Sequence, residues 1–154
     1  MDAHFFTTLQ ASPEIGRAIG AEDDRPGHNH VVVLSHALWQ SMFAGSRQIL
    51  TRQLVLDGSP YQIIGVMPAE FRYPHNSDFP PGVIGGDAAG ADVWVPQALS
   101  AQQKADRVNF TADVIARLNP GVTVRQAQAE MSTLMAVSYT HLDVYKRQLL
   151  REEQ

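Results

Sequence analysis

The sequence predicts an α+β fold, a mixed sheet with hairpins and packed helices, and three observations carry that prediction. Val31-Val-Val-Leu34 is a continuous apolar, mostly β-branched run that leads into an amphipathic stretch, His36 to Phe43. Gln53–Asp57 and Tyr61–Val66 are two strand-like runs joined by the turn residues Asp57-Gly58-Ser59-Pro60. A further amphipathic stretch runs from Thr123 to about Met135. Strands and helices interleaved with hairpins, rather than in strict βα alternation, indicate α+β layering.

The elements follow in chain order. Ala3–Leu9 reads as a short helix, and Pro13 as the start of a helical turn, where its missing N–H costs nothing. Glu22–Asn29 is a polar turn cluster. Val31–Leu34 has the pattern of a strand covered on both faces. Ser35 is placed to cap the following helix, its hydroxyl accepting from an unpaired amide of the first turn. That helix should set Leu38, Trp39 and Met42 on its buried side and end at Gly45. The hairpin follows, with Leu54 and Leu56 alternating against polar or opposite-face positions. His75 to Gly90 contains Pro80-Pro81 and Gly82, Gly85, Gly86 and Gly90, and reads as a long mobile loop and contact surface. Val93–Val95 and Phe110–Leu118 read as strands. Pro120-Gly121 makes a turn, and Thr123 caps a helix with Val124, Ala127, Met131 and Leu134 on one face.

Composition narrows the function classes. The chain has 154 residues, enough for one domain with a genuine core, and 44% hydrophobic residues, which excludes a disordered chain. A net charge of -4 with scattered basic residues excludes a nucleic-acid surface, which needs a clustered basic stripe. With no cysteine there is neither disulfide nor thiolate chemistry. No apolar run approaches the ~18 residues that span a bilayer. Met1-Asp2-Ala3-His4 lacks the basic start of a signal peptide.

No reactive constellation accompanies this pattern. His28, His30 and His36 lie near Glu22, Asp23 and Asp24 in sequence, a residue set that suits zinc if its lone pairs converge. Solvated turn histidines are the plainer reading. Gly82–Gly90 lacks the Lys and following helix of a phosphate loop. Glu70 and Asp92 have nothing that pairs them as acid and base, and Ser35 and Ser41 lack a nucleophile-elbow pattern. Trp39 and Trp94 read as core or interface aromatics. Asn109-Phe110-Thr111 matches a glycosylation signal by letters only. The expectation is therefore a protein with no catalytic, cofactor or metal site.

One resemblance spans His4 to Met135. Its blocks are Phe5-Phe6 with Leu9, Ile15-Gly16-Arg17, Glu22-Asp23-Asp24-Arg25-Pro26-Gly27 and Val31–Trp39. The hairpin, Phe71-Arg72-Tyr73-Pro74, Ala91–Pro96 and Ala116-Arg117-Leu118-Asn119-Pro120-Gly121-Val122-Thr123 complete it. In this order and spacing the chain resembles the periplasmic core domain of MacB-type, FtsX-like ABC transporter permeases. Two positions depart from the family pattern: Thr51 stands where it usually has Gly, and His75–Gly90 is longer and richer in glycine.

The resemblance implies a domain that transmits ATP-driven conformational change and is not an enzyme. It implies an ABC ATPase subunit or domain and a second permease protomer as partners, with a possible periplasmic partner. The place implied is the bacterial inner membrane, the domain facing the periplasm or cell exterior. The family's transmembrane helices are not in this sequence, which implies a piece of such a permease with Met1 an internal residue. Two other functions fit the residues: a small metal-dependent hydrolase using the His28/His30/His36 turn, and an interaction domain of a secreted protein.

Residues 137–154 are expected to lie outside the domain, which then covers 1–136. Val137–Gln148 back-translates to DNA whose second half is close to the reverse complement of its first. It resembles a translated sequencing adapter, two transposase mosaic ends joined head to head, and as such takes no part in fold or function.

Overall fold

The computed structural model describes residues 1–74, 90–105 and 114–136. The chain divides into two compact units, Met1–Ala105 and Asp106–Gln154. The first contains α1 (Phe5–Leu9), β1 (Ile15–Gly16), β2 (Val31–Leu34) and α2 (His36–Phe43), then a 3₁₀ turn (Ile49–Thr51). It continues with β3 (Gln53–Leu56), β4 (Ser59–Val66), β5 (Val93–Trp94) and α3 (Ala101–Ala105). The described part of the second unit contains α4, residues 124–136.

The sheet is mixed, as expected. Strand β4 is its spine, and β2 runs parallel to it with Val31 opposite Gln62 and Leu34 opposite Val66. On the other edge of β4 lie two antiparallel strands in series, β3 along its first half and β1 along its end. Strand β5 closes the far side of β2, antiparallel to it. The β3–β4 hairpin turns through Asp57 and Gly58, both with positive φ (49° and 77°), the mirror-image turn whose twist suits adjoining antiparallel strands. Pro60 is tolerated opposite Val55 because it precedes the point where β2 joins β4, so no ladder bond is lost there.

A bulge decides how the sheet faces its two cores. Val32 pairs with Ile63 but Val33 pairs with Gly65, so Ile64 is an extra residue in β4. Strict alternation would put Ile63 and Val66 on opposite faces. The bulge resets the phase, and both join Val32, Leu34, Trp39 and Ile49 in the core under α2. Ile64 and Met67 then point to the other face, against Val33, Trp94, Ile19 and Phe6. Val31–Leu34 is therefore covered on both sides, as its unbroken apolar run predicts.

Helix α2 begins as expected: the Ser35 hydroxyl accepts from the Leu38 N–H at 3.0 Å. Its exit differs by one residue, Ala44 taking the left-handed cap position ahead of Gly45. Met42 is 60% exposed, and Phe43 packs on the core instead, because the helix meets the sheet through Leu38, Trp39 and Phe43. Pro13 starts no helix; Glu14 donates its N–H to the Val66 carbonyl and leads directly into β1. Thr51 closes the 3₁₀ turn, its hydroxyl donating to the Gln48 carbonyl at 2.8 Å.

In the second unit, Pro120 and Gly121 form the expected turn. Thr123 and Gln126 cap α4 reciprocally, the Gln126 N–H donating to the Thr123 hydroxyl and the Thr123 N–H to the Gln126 side-chain amide oxygen Oε1. Val124, Met131 and Leu134 on α4 are exposed. The expected strand Phe110–Leu118 is not formed over 114–118, and its first residues lie outside the described ones. Most of the expected loop His75–Gly90, residues 75–89, and the expected tail 137–154 lie outside them as well.

Candidate functional site

The acidic turn 21–28 is where the sequence concentrates its ionisable groups, and its geometry is that of a structural hub. Asp23 is buried, and its carboxylate accepts a two-pronged bond from the Arg17 guanidinium at 2.5 and 2.9 Å. It also accepts the Gly20 N–H at 2.8 Å. Hydrogen bonding from Arg17 holds the Asp23 carboxyl below the ordinary carboxylate range, and the same contact raises the Arg17 guanidinium. Asp24 faces another way. Its two oxygens accept the Ala98 N–H at 2.7 Å and the Ala3 N–H at 3.3 Å. Neighbouring acids thus fasten different segments.

The histidines are dispersed in use. His36 Nδ1 meets the Glu14 carboxylate at 2.5 Å, and its ring stands edge-on to Trp39 at 5.3 Å. The His30 ring lies tilted against Tyr61, with centroids 5.1 Å apart. His28 sits in the turn, its N–H on the Arg25 carbonyl. Among the described residues, no three His, Asp or Glu side chains are grouped to hold a metal ion. The zinc reading of this turn is not favoured: Asp23 is engaged with Arg17 and Gly20, Asp24 with Ala3 and Ala98, and His36 with Glu14.

Asp92 accepts from the Ser35 hydroxyl at 3.2 Å and so supports the start of α2, whereas Glu70 is exposed. The two are not brought together as an acid–base pair. Trp39 is buried and donates its indole N–H to the Ser46 carbonyl at 3.0 Å. Trp94 anchors the opposite core, 5.9 Å from Phe6 and 5.4 Å from Phe71. Its indole nitrogen is buried and has no hydrogen-bond partner among the described residues. Phe5 and Tyr73, 6.0 Å apart, extend this aromatic cluster to the residues that flank 75–89. Among the described residues, no helix is long and apolar enough to cross a membrane.

Sequence reading did not find the Arg17–Asp23 and Asp24–Ala98 contacts. Their partners are 6 and 74 residues apart, spacings with no helical or strand meaning, so only the fold reveals them. Asp23→Ala should lower stability at pH 7 by about 2–3 kcal/mol, since it orphans the Gly20 amide and frees a half-exposed Arg17. A carboxyl whose folded pKa is depressed stabilises fully above the unfolded value and loses that contribution as pH falls through the folded one. The gap between wild type and variant in urea titrations should therefore be constant above about pH 5 and close below about pH 4. A gap independent of pH down to acid unfolding would refute the charged role of Asp23.

The family described as the MacB-like periplasmic core domain matches residues 1–134. Among curated proteins none matches the chain. Among solved structures, the periplasmic region of MacB from Actinobacillus actinomycetemcomitans is similar with a TM-score of 0.54 at 17% identity. The alignment covers 89% of this chain and 54% of that one, so the chain spans about half the length of that region. At this identity the likeness speaks to the fold, which is the same α+β arrangement. The family match over most of the length, on a two-faced mixed sheet, means that the chain belongs to the MacB-like periplasmic core domain family.

Proposed function

We propose that this chain is the extracytoplasmic module of an ABC transporter permease. In this reading it faces the periplasm or cell exterior from the bacterial inner membrane and does no chemistry of its own. It passes on a conformational change driven by an ABC ATPase subunit or domain, in company with a second permease protomer. The output is export of a substrate or action on a periplasmic partner. The observation that carries the reading is the family match over residues 1–134. The packing supports it: a sheet with a core on each face moves as one body, which a transmitting domain requires.

The experiment uses the uninterrupted gene that encodes residues 1–136. Its product, purified in nanodiscs with its ATPase, should place this domain outside the membrane in a topology-reporter assay. Because the chain has no cysteine, Val55→Cys supplies a unique labelling site within it on an exposed side chain. Spin labels there, one on each protomer, should change separation when non-hydrolysable ATP is added. An unchanged distance distribution, or a gene product without membrane helices, would overturn the proposal. Metal-dependent hydrolysis would instead reveal itself as activity abolished by a chelator.

A further inference from the structure

Residues 1–4 meet the segment leaving β5 at one place, and Asp24 joins them. The Met1 amino group donates to the Val95 carbonyl at 2.9 Å, and the Met1 carbonyl accepts the Gln97 N–H at 2.8 Å. Beside this bridge, one Asp24 oxygen takes the Ala98 N–H and the other the Ala3 N–H. The turn carrying Asp24 is held in turn by its own N–H on the Gly20 carbonyl and by the Asp23 bonds to Arg17 and Gly20. Asp24 thus sits on a turn held by its own bonds and reaches out to two other segments.

Ala98 is strained. Its φ is 45°, a left-handed conformation that a residue with a Cβ adopts at a cost, and it is not a glycine. Such a conformation persists only where the surroundings over-determine it. The 2.7 Å bond from its N–H to Asp24 is the contact placed to do so. Freed of Asp24, Ala98 has a lower-energy backbone to return to, and residues 95–98 have a reason to leave.

We propose that Asp24 is a releasable clasp between the segment 1–4 and the segment 95–98, with the left-handed Ala98 biasing it toward release. This rests on the transmission reading above and names the contact through which displacement of residues 1–4 reaches the sheet. Pulling on residues 1–4 would break the Ala3–Asp24 bond and the Met1–Gln97 bridge, let Ala98 relax, and so act on β5. The α2 core would remain in place.

Amide hydrogen exchange followed by NMR on the whole chain tests the clasp without assuming a permease. Asp24→Asn and Asp24→Ala should speed exchange at Ala3, Gln97 and Ala98 by roughly 10-fold or more, as loss of a hydrogen bond to a charged group predicts. Val32, Val33 and Leu34 amides should be unchanged, which distinguishes local opening from a general loss of stability. Ala98→Gly should slow exchange at residue 98 by roughly 3- to 10-fold, the relieved left-handed penalty less glycine's added entropy. Uniform acceleration across the sheet in both Asp24 variants, or no slowing in Ala98→Gly, overturns the clasp. Neither outcome touches the transporter reading, which stands or falls on the nanodisc experiment.

Discussion

Trp39→Ala should unfold the domain more readily than any other replacement on α2, by about 3–5 kcal/mol. Trp39 is 8% exposed and packs with Val32, Leu34, Ile49, Ile63 and Val66, so truncation opens a cavity where helix, 3₁₀ turn and sheet meet. Two losses add. The indole surface goes, and the Ser46 carbonyl loses the donor that ties the chain after α2 to the helix. Trp39→Phe separates them: it keeps most of the ring and removes the N–H, and should cost about 1–2 kcal/mol. The measurement is urea unfolding followed by the fluorescence of Trp94, the other tryptophan of the chain. A folded domain has about 5–15 kcal/mol in total, so at the low end of that range Trp39→Ala leaves too little native state to titrate. Trp39→Phe still reports. A cost below about 1 kcal/mol for both variants would mean that Trp39 is not in this core.

How much of this arrangement was legible in the sequence depends on how local its cause is. The Ser35 cap, the Asp57-Gly58 turn and the Thr123 cap each rest on residues acting within three positions, and all three form. The two-sided burial of Val31–Leu34 follows from its unbroken apolar run. Leu38 and Trp39 are expected on the buried side of α2 and pack against the core there. What was not legible depends on partners far away in sequence. Nothing in Tyr61–Val66 announces that Ile64 will be extra, because a bulge is defined by the opposing strand, here β2. Met42 and Phe43 are both apolar, and only the seating of α2 on the sheet decides that Phe43 packs. Pro13 suits a helix start, but the docking of β1 on β4 requires extended chain there. The acidic turn shows the same limit. Its carboxylates and neighbouring histidines suggest a ligand set by letters, while the fold spends Asp23 on Arg17 and Asp24 on residues 3 and 98.

Gly65→Ala should cost about 3 kcal/mol or more, an effect that residue type and exposure alone would not suggest. The backbone at Gly65 is one that alanine adopts freely, so the cost is not conformational. It comes from the close approach of β1. Gly16 and Gly65 face each other in the ladder, and a Cβ on Gly65 would press into the Arg17 carbonyl oxygen and lie 3.3 Å from that of Ile15. Those obstacles are backbone atoms, which cannot swing aside as a long side chain would. Strand β1 must move off, and with it go the bonds from the Glu14 N–H to the Val66 carbonyl and from the Arg17 N–H to the Ile64 carbonyl, each 2.9 Å. Displacing Arg17 also loosens its grip on Asp23, so the acidic turn should feel the change. Gly58→Ala is the contrasting variant. Gly58 has a φ of 77° but open space where a Cβ would stand, so only the left-handed penalty of about 1–2 kcal/mol applies. Urea midpoints of the two variants, with exchange rates at Glu14 and Arg17, decide the matter. Equal costs for Gly58→Ala and Gly65→Ala, with β1 amides still protected in both, would show that β1 does not seat on β4 as closely as described.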